Sequence, residues 1–261
     1  MILSAGIRYL ANWTRNARRV MAYRIYRWPQ FSEVESAPSY SAFGEDVVAL
    51  AWLTGAGIKS SDIRYLDVGA SDPAVLSNTM LMYRRGARGV LVEPEAEMAQ
   101  KLAARRPHDV VINAGVAFDD RRSAQLIRLT SSVFNTFSEK QAEHVAASSV
   151  EWGSLQAIVG RNEVRLIPIN DIIKQNLGGV APHFLSIDAE SVDFEILQSL
   201  DLDQFRPWII CIEKSHSGAE LSAYLLPRGY RVICDTPHNI MFMLDPCPAP
   251  RSLSGAGVDT A

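Results

Sequence analysis

Apolar runs alternate with helical patterns along this chain, and that alternation restricts its fold more than any other feature. The runs lie at 63–68, 89–92, 109–112, 183–187 and 208–212, and helical periodicity fills about 77–85, 95–105, 191–200 and 217–227. Short, continuous apolar runs are what strands covered on both faces require. Strand and helix in turn predict an α/β domain with a parallel sheet and helices on both faces. Gly86 and Gly229 stand just past helical stretches, where glycine ends a helix. After Gly229 the pattern changes: Tyr230–Cys234 and Ile240–Leu244 read as strands around a turn at 235–239.

The first strand runs into Asp67-Val68-Gly69-Ala70-Ser71-Asp72-Pro73. A glycine at the carboxyl end of a parallel strand lets backbone and ligand approach, and ligands of open α/β sheets bind at those ends. The second and third glycines of a dinucleotide fingerprint and the lysine of a phosphate loop are absent, so neither ligand class is favoured. Flanking acids suit a ligand with a cationic amino group. Glu93, at the end of the next strand in Val92-Glu93-Pro94, is placed to accept hydrogen bonds from ribose hydroxyls. Asn113, in Ile112-Asn113-Ala114-Gly115, offers an amide for an adenine edge or for an ordinary turn.

Two later strand ends carry reactive groups. Ile187-Asp188-Ala189-Glu190-Ser191 presents two carboxylates that could hold a cationic amine, act as a base or share a divalent cation. Glu213 ends the fifth strand, and His216 follows as a third candidate base. Asp188, Glu190 and His216 form the candidate catalytic set, with no choice among them from sequence.

The net charge of −3 excludes a global nucleic-acid binder, but it is unevenly spread: residues 1–32 hold six arginines and no acid. Residues 2–22 read as an amphipathic helix with Leu3, Leu10, Trp13 and Val20 opposite Arg8, Arg15, Arg18 and Arg19. Such a helix lies on the cytoplasmic face of an anionic membrane, or packs on the catalytic domain or on a second subunit. Its apolar-then-basic order is the reverse of a secretory signal. The three cysteines fit neither a zinc site nor a disulfide framework, and a cytoplasmic setting is expected. Residues 119–162, with an aromatic patch at Phe134, Phe137 and Trp152, read as an insertion able to cover a site within a domain spanning 33–245. The tail 246–261 reads as disordered.

From about Tyr40 to Leu244 the chain resembles the FkbM family of SAM-dependent methyltransferases. The likeness rests on ordered motifs: Tyr40-Ser41-Ala42-Phe43-Gly44-Glu45-Asp46, Asp67 to Asp72, Leu76-Ser77-Asn78-Thr79, Glu93-Pro94, Asn135-Thr136-Phe137-Ser138, Ile187 to Glu190, and Pro207 to Glu213. The resemblance implies a class I Rossmann-like fold, a mostly parallel seven-stranded sheet closed by a C-terminal antiparallel hairpin. It implies S-adenosylmethionine (SAM) as donor. Asp67, Gly69 and Asp72 would line its methionine side, Glu93 its ribose and Asp188 its methyl end. Ala70, Ser71, Asn78, Pro94, Asn113 and Ala114 complete the expected donor site. A hydroxyl on a sugar, glycan or secondary metabolite is the expected acceptor. Three departures stand out: Ala42 where the family usually has Gln, Pro73 where it has Gly, and Ser191 where it commonly has Gly. The alternatives are a SAM-binding scaffold without catalysis and, less favoured, a nicotinamide oxidoreductase.

Overall fold

A computed structural model describes residues 39–148, 155–214 and 217–246. The helix expected over 2–22, Trp152, His216 and the tail from residue 247 lie outside the described residues.

The chain enters through helix α1 (Glu45–Gly55) and strand β1 (Arg64–Val68), followed by α2 (Met80–Arg84), β2 (Arg88–Val92), α3 (Ala96–Arg105) and β3 (Val110–Ile112). It then builds β4 (Gly115–Ala117), β5 (Ser123–Leu129), α4 (Glu139–Ala147), β6 (Ile158–Pro168) and α5 (Ile169–Asn176). It returns through β7 (Phe184–Ile187), α6 (Asp193–Ser199), β8 (Ile209–Glu213), α7 (Gly218–Leu225), β9 (Tyr230–Asp235) and β10 (Asn239–Leu244). The main sheet has seven strands in the order β3-β2-β1-β7-β8-β10-β9, parallel except at β10, which runs antiparallel to both neighbours. A class I Rossmann-like sheet with a C-terminal antiparallel hairpin is therefore what this sequence folds into.

The apolar runs explain the layers. Successive residues of β1 point to opposite faces, and both are buried: Leu66 joins Leu185, Ile210 and Phe242 under α5, α6 and α7, whereas Tyr65 joins Phe184, Cys211 and Met241 under α1, α2 and α3. The order reverses between β1 and β7, and a crevice opens above such a reversal.

Two expected helices start later than their patterns do. The pattern from 77 becomes helical only at Met80, because Ser77 Oγ takes the Met80 and Thr79 N–H groups first. The pattern from 191 becomes helical at Asp193. The region read as an insertion, 119–162, supplies β5 and the start of β6 to a second sheet of order β4-β6-β5, in which β5 and β6 pair antiparallel and β4 precedes the region. Thr136 Oγ1 ties it to the main domain by donating to the Glu190 carbonyl at 2.8 Å.

Candidate active site

A cavity of about 330 Å³ opens above the carboxyl ends of β1, β2 and β7, within the range of small-ligand sites. Asp67, Gly69, Ala70, Ser71, Asp72 and Asn78 line it from the β1 side. Glu93 and Pro94 follow β2, Ala114 follows β3, and Asp188 and Glu190 follow β7. The segment around the second sheet adds Arg121, Val133, Asn135 and Phe137.

Gly69 is required for a reason other than ligand approach. Its φ is +78°, and a Cβ there would stand 1.7 Å from the Asp188 carbonyl oxygen. The glycine lets the loops after β1 and β7 touch, which fixes Asp188 beside the β1 turn. Its N–H donates to the Val92 carbonyl at 2.9 Å, drawing in β2 as well. The turn at Pro73 is held beyond the proline: Asp72 Oδ1 accepts from the N–H groups of Ala74 and Val75.

Glu93 is 5% exposed, and each of its oxygens takes one backbone N–H at 2.8 Å, from Ser71 and from Glu95. Burial pushes its pKa up to about 7 against those two bonds. Carboxylate oxygens have further lone pairs, so Glu93 keeps acceptor capacity. Asn113 does not line the cavity. Its Nδ2 donates to the Glu93 and Pro94 carbonyls at 2.9 and 3.0 Å, so it shapes the β2 turn rather than offering that amide to a ligand. Asn78 lines the cavity but donates to Ser186 Oγ at 3.1 Å.

Asp188 and Glu190 meet a third acid, Glu213, with one oxygen of each within 4.8 Å of the others. Burial and then the Glu213 charge push Asp188 well above the usual carboxylate range; burial and then Asp188 lift Glu190 to about 8. The turn between them is unusual: Glu190 has φ +53° and Ser191 φ +93°. Asp193 holds it, accepting from the N–H groups of Ala189 (2.6 Å) and Ser191 (3.2 Å). The set could share protons, receive a proton from substrate or hold a divalent cation.

Glu213 was legible as a strand end but not as a member of this cluster. Asp193 gave no sign in sequence of its part in holding the turn after Asp188. Phe137, read in sequence as part of an aromatic patch able to cover a site, lines the cavity.

The residues fit SAM. The apolar side chains Val92, Pro94, Met98 and Phe118 share the cavity with Glu93, and carboxylates face the remainder. That suits a nucleoside joined to a cationic sulfonium and ammonium. This sheet order and this cavity at its reversal point define a class I SAM-dependent methyltransferase. Residues 67–232 match the methyltransferase FkbM domain, and the chain belongs to that family. No curated protein matches the chain. Among solved structures it is similar to the O-methyltransferase from Bacillus cereus in complex with S-adenosylhomocysteine (SAH), at 12% identity over 82% of this chain and 87% of that one (TM-score 0.41). Another is the TehB-like SAM-dependent methyltransferase from Corynebacterium glutamicum, at 6% identity over 90% and 97% (TM-score 0.40). A third is the O-methyltransferase TomG from Streptomyces achromogenes, involved in tomaymycin synthesis, in complex with SAM, at 12% identity over 87% and 88% (TM-score 0.39).

Proposed function

We propose that the chain methylates a hydroxyl on a sugar, glycan or secondary metabolite, with Glu190 as the base. The bound donor supplies an electrophilic methyl group on a sulfonium. Glu93 and the β1 turn hold the donor, and Asp188 stands at its methyl end. A hydroxyl is a poor nucleophile at neutral pH and needs a base in reach, whereas an unprotonated amine does not. The observation that carries the proposal is Glu190, on the cavity wall beside Asp188, with its pKa lifted to about 8 by burial and the Asp188 charge. In its ionised form, which predominates only above about pH 8, such a carboxylate takes a hydroxyl proton more readily than an ordinary one, so activity should rise toward pH 8.

The test is transfer of a carbon-labelled methyl from SAM to fractionated cell extract, followed by assignment of the methylated atom by NMR. Label on oxygen supports the proposal; label only on nitrogen or carbon rejects it. A second reading, donor binding without transfer, is favoured by Ser191, which strains the turn where the family commonly has glycine. SAM binding with no labelled product in any fraction would establish that reading instead.

A further inference from the structure

Behind the cavity, on the far side of Asp67, runs a chain of hydrogen bonds that methyl transfer itself does not use. Arg106, just past α3, is 0% exposed. Its Nε donates to Asp109 Oδ2 at 2.8 Å, its Nη2 to Tyr65 Oη at 2.9 Å and its Nη1 to Thr79 Oγ1 at 3.0 Å. A guanidinium can only donate, so the Thr79 oxygen must accept from it. Thr79 Oγ1 also stands 2.5 Å from Asp67 Oδ2, and its proton points there. The same logic sets Tyr65, which accepts from Arg106 and donates to Asp109 at 2.8 Å. One buried cation thus orients every hydroxyl proton in the chain, and the last of them ends on an acid that lines the cavity.

We propose that Arg106 and Thr79 are positioning residues for the donor: their hydrogen-bond chain aims the Asp67 carboxylate into the cavity and favours its charged form against burial, and so widens toward acid the pH range over which the chain binds a cationic donor. The inference rests on the cavity being the donor's. The groups facing Asp67 come from several elements. Thr79 stands before α2, Arg106 after α3, Asp109 before β3, Glu93 after β2, and Ser186 and Asp188 belong to β7 and its end. Burial prevails and holds Asp67 above the usual carboxylate range; the Thr79 hydroxyl opposes this most, then Arg106 and Ser186, while Asp109 adds to the burial effect. Thr79 makes no side-chain cap to α2, so its hydroxyl is free of helix-capping duty.

The experiment is calorimetric titration of the full chain with SAH across acidic to alkaline pH. Thr79→Val, which keeps the shape and removes the hydroxyl, is expected to weaken binding roughly tenfold near neutrality. Its acid limb should move up by about one pH unit. At alkaline pH, where Asp67 is ionised in both proteins, the affinities should converge. Thr79→Ser keeps the hydroxyl and is expected to follow the parent. A Thr79→Val protein with the parent's profile, or with the same deficit at every pH, would overturn the proposal. So would a Thr79→Ser protein that behaves like Thr79→Val. If Thr79→Val does not fold, Asp67→Asn decides: the acid limb should flatten, and a retained limb overturns the assignment. Failure of the donor reading is distinguishable, because the parent chain would then not bind SAH at all.

Discussion

Replacing Ser191 with glycine should stabilise the protein, against the usual effect of a substitution in a folded domain. Ser191 has φ +93°, where a side chain is strained, and this is a position where the family commonly has glycine. Backbone strain of this kind costs about 1–3 kcal/mol. The hydroxyl adds to it: Ser191 Oγ is buried without a hydrogen-bond partner among the described residues, which costs about 1 kcal/mol or more. Glycine gives back about 0.4–1 kcal/mol through the freedom it adds to the unfolded chain. Strain and desolvation outweigh that entropy, leaving a net gain of about 2 kcal/mol. For a domain of this size each kcal/mol moves the melting midpoint by about 2–4 °C, so Ser191→Gly should raise it by about 4–8 °C. Thermal melts of the parent, Ser191→Gly and Ser191→Ala measure it. The alanine variant loses the hydroxyl but keeps the Cβ, so it should recover only the smaller part. A Ser191→Gly midpoint at or below the parent's would refute the strain argument, and equal gains for both variants would assign the whole effect to the hydroxyl. Glu190 should keep its place throughout, because Thr136 holds its carbonyl and Asp193 holds the flanking N–H groups.

Glu93→Ala should weaken SAM and SAH by about 1.5–3 kcal/mol in calorimetry, the worth of a hydrogen bond to a charged group; unchanged affinity in a folded variant rejects the ribose assignment. The ligand-free chain should lose stability as pH rises. Glu93 titrates at about 7 in the fold against an ordinary 4.5, so its contribution is intact below 4.5 and gone above 7, a loss of about 3 kcal/mol at most. Glu190, at about 8, extends that decline, and a urea midpoint that rises from pH 5 to pH 8 would contradict both. Asp188→Asn should cut turnover far more than it shifts the melting midpoint. Full activity in excess chelator would exclude a shared cation, whereas loss restored by a divalent metal would assign Asp188, Glu190 and Glu213 to it. The arginine-lined segment 2–22 should carry the chain to anionic vesicles in flotation, and a form lacking residues 1–32 should stay behind; equal behaviour rejects the membrane reading.

The central strands were readable as apolar runs because all of β7 and all but the first residue of β1 and β2 are buried, on both faces of the sheet. The second sheet was not readable, because burial there is one-sided. In β6 the sequence IVGRNEVRLIP interleaves charged and apolar residues, and only Val164 and Leu166 are fully buried. Such a strand resembles a polar loop until its partner β5 is known. The acids at the strand ends were legible singly, since each follows an apolar run, but their convergence depends on strand order. Arg106 was the least legible. In Arg105-Arg106-Pro107 it reads as one of two basic residues closing a helix, and only the fold turns one of them inward against Asp109.

The sheet itself forces the acids together. Asp67, Glu93, Asp188 and Glu213 sit at or just past the ends of β1, β2, β7 and β8, which lie side by side in parallel register. Neighbouring strands are about 4.8 Å apart, so Asp188 and Glu213, one residue past the paired Ile187 and Ile212, are near one another by construction, with Asp67 two residues lower on β1. Each is also partly or wholly removed from water, and burial and mutual repulsion both favour protonation. The protein answers this in part. Arg106 reaches Asp67 through Thr79, and backbone N–H groups reach Glu93. Among the described residues, no salt bridge reaches Asp188, Glu190 or Glu213. That end of the row is left to be answered by what binds there. A sulfonium answers it with positive charge, and methyl transfer leaves a neutral thioether in its place. Where those acids are ionised, the row should therefore hold the donor more firmly than the spent product, and calorimetric affinities for SAM and SAH that stay equal as pH rises past 8 would refute this.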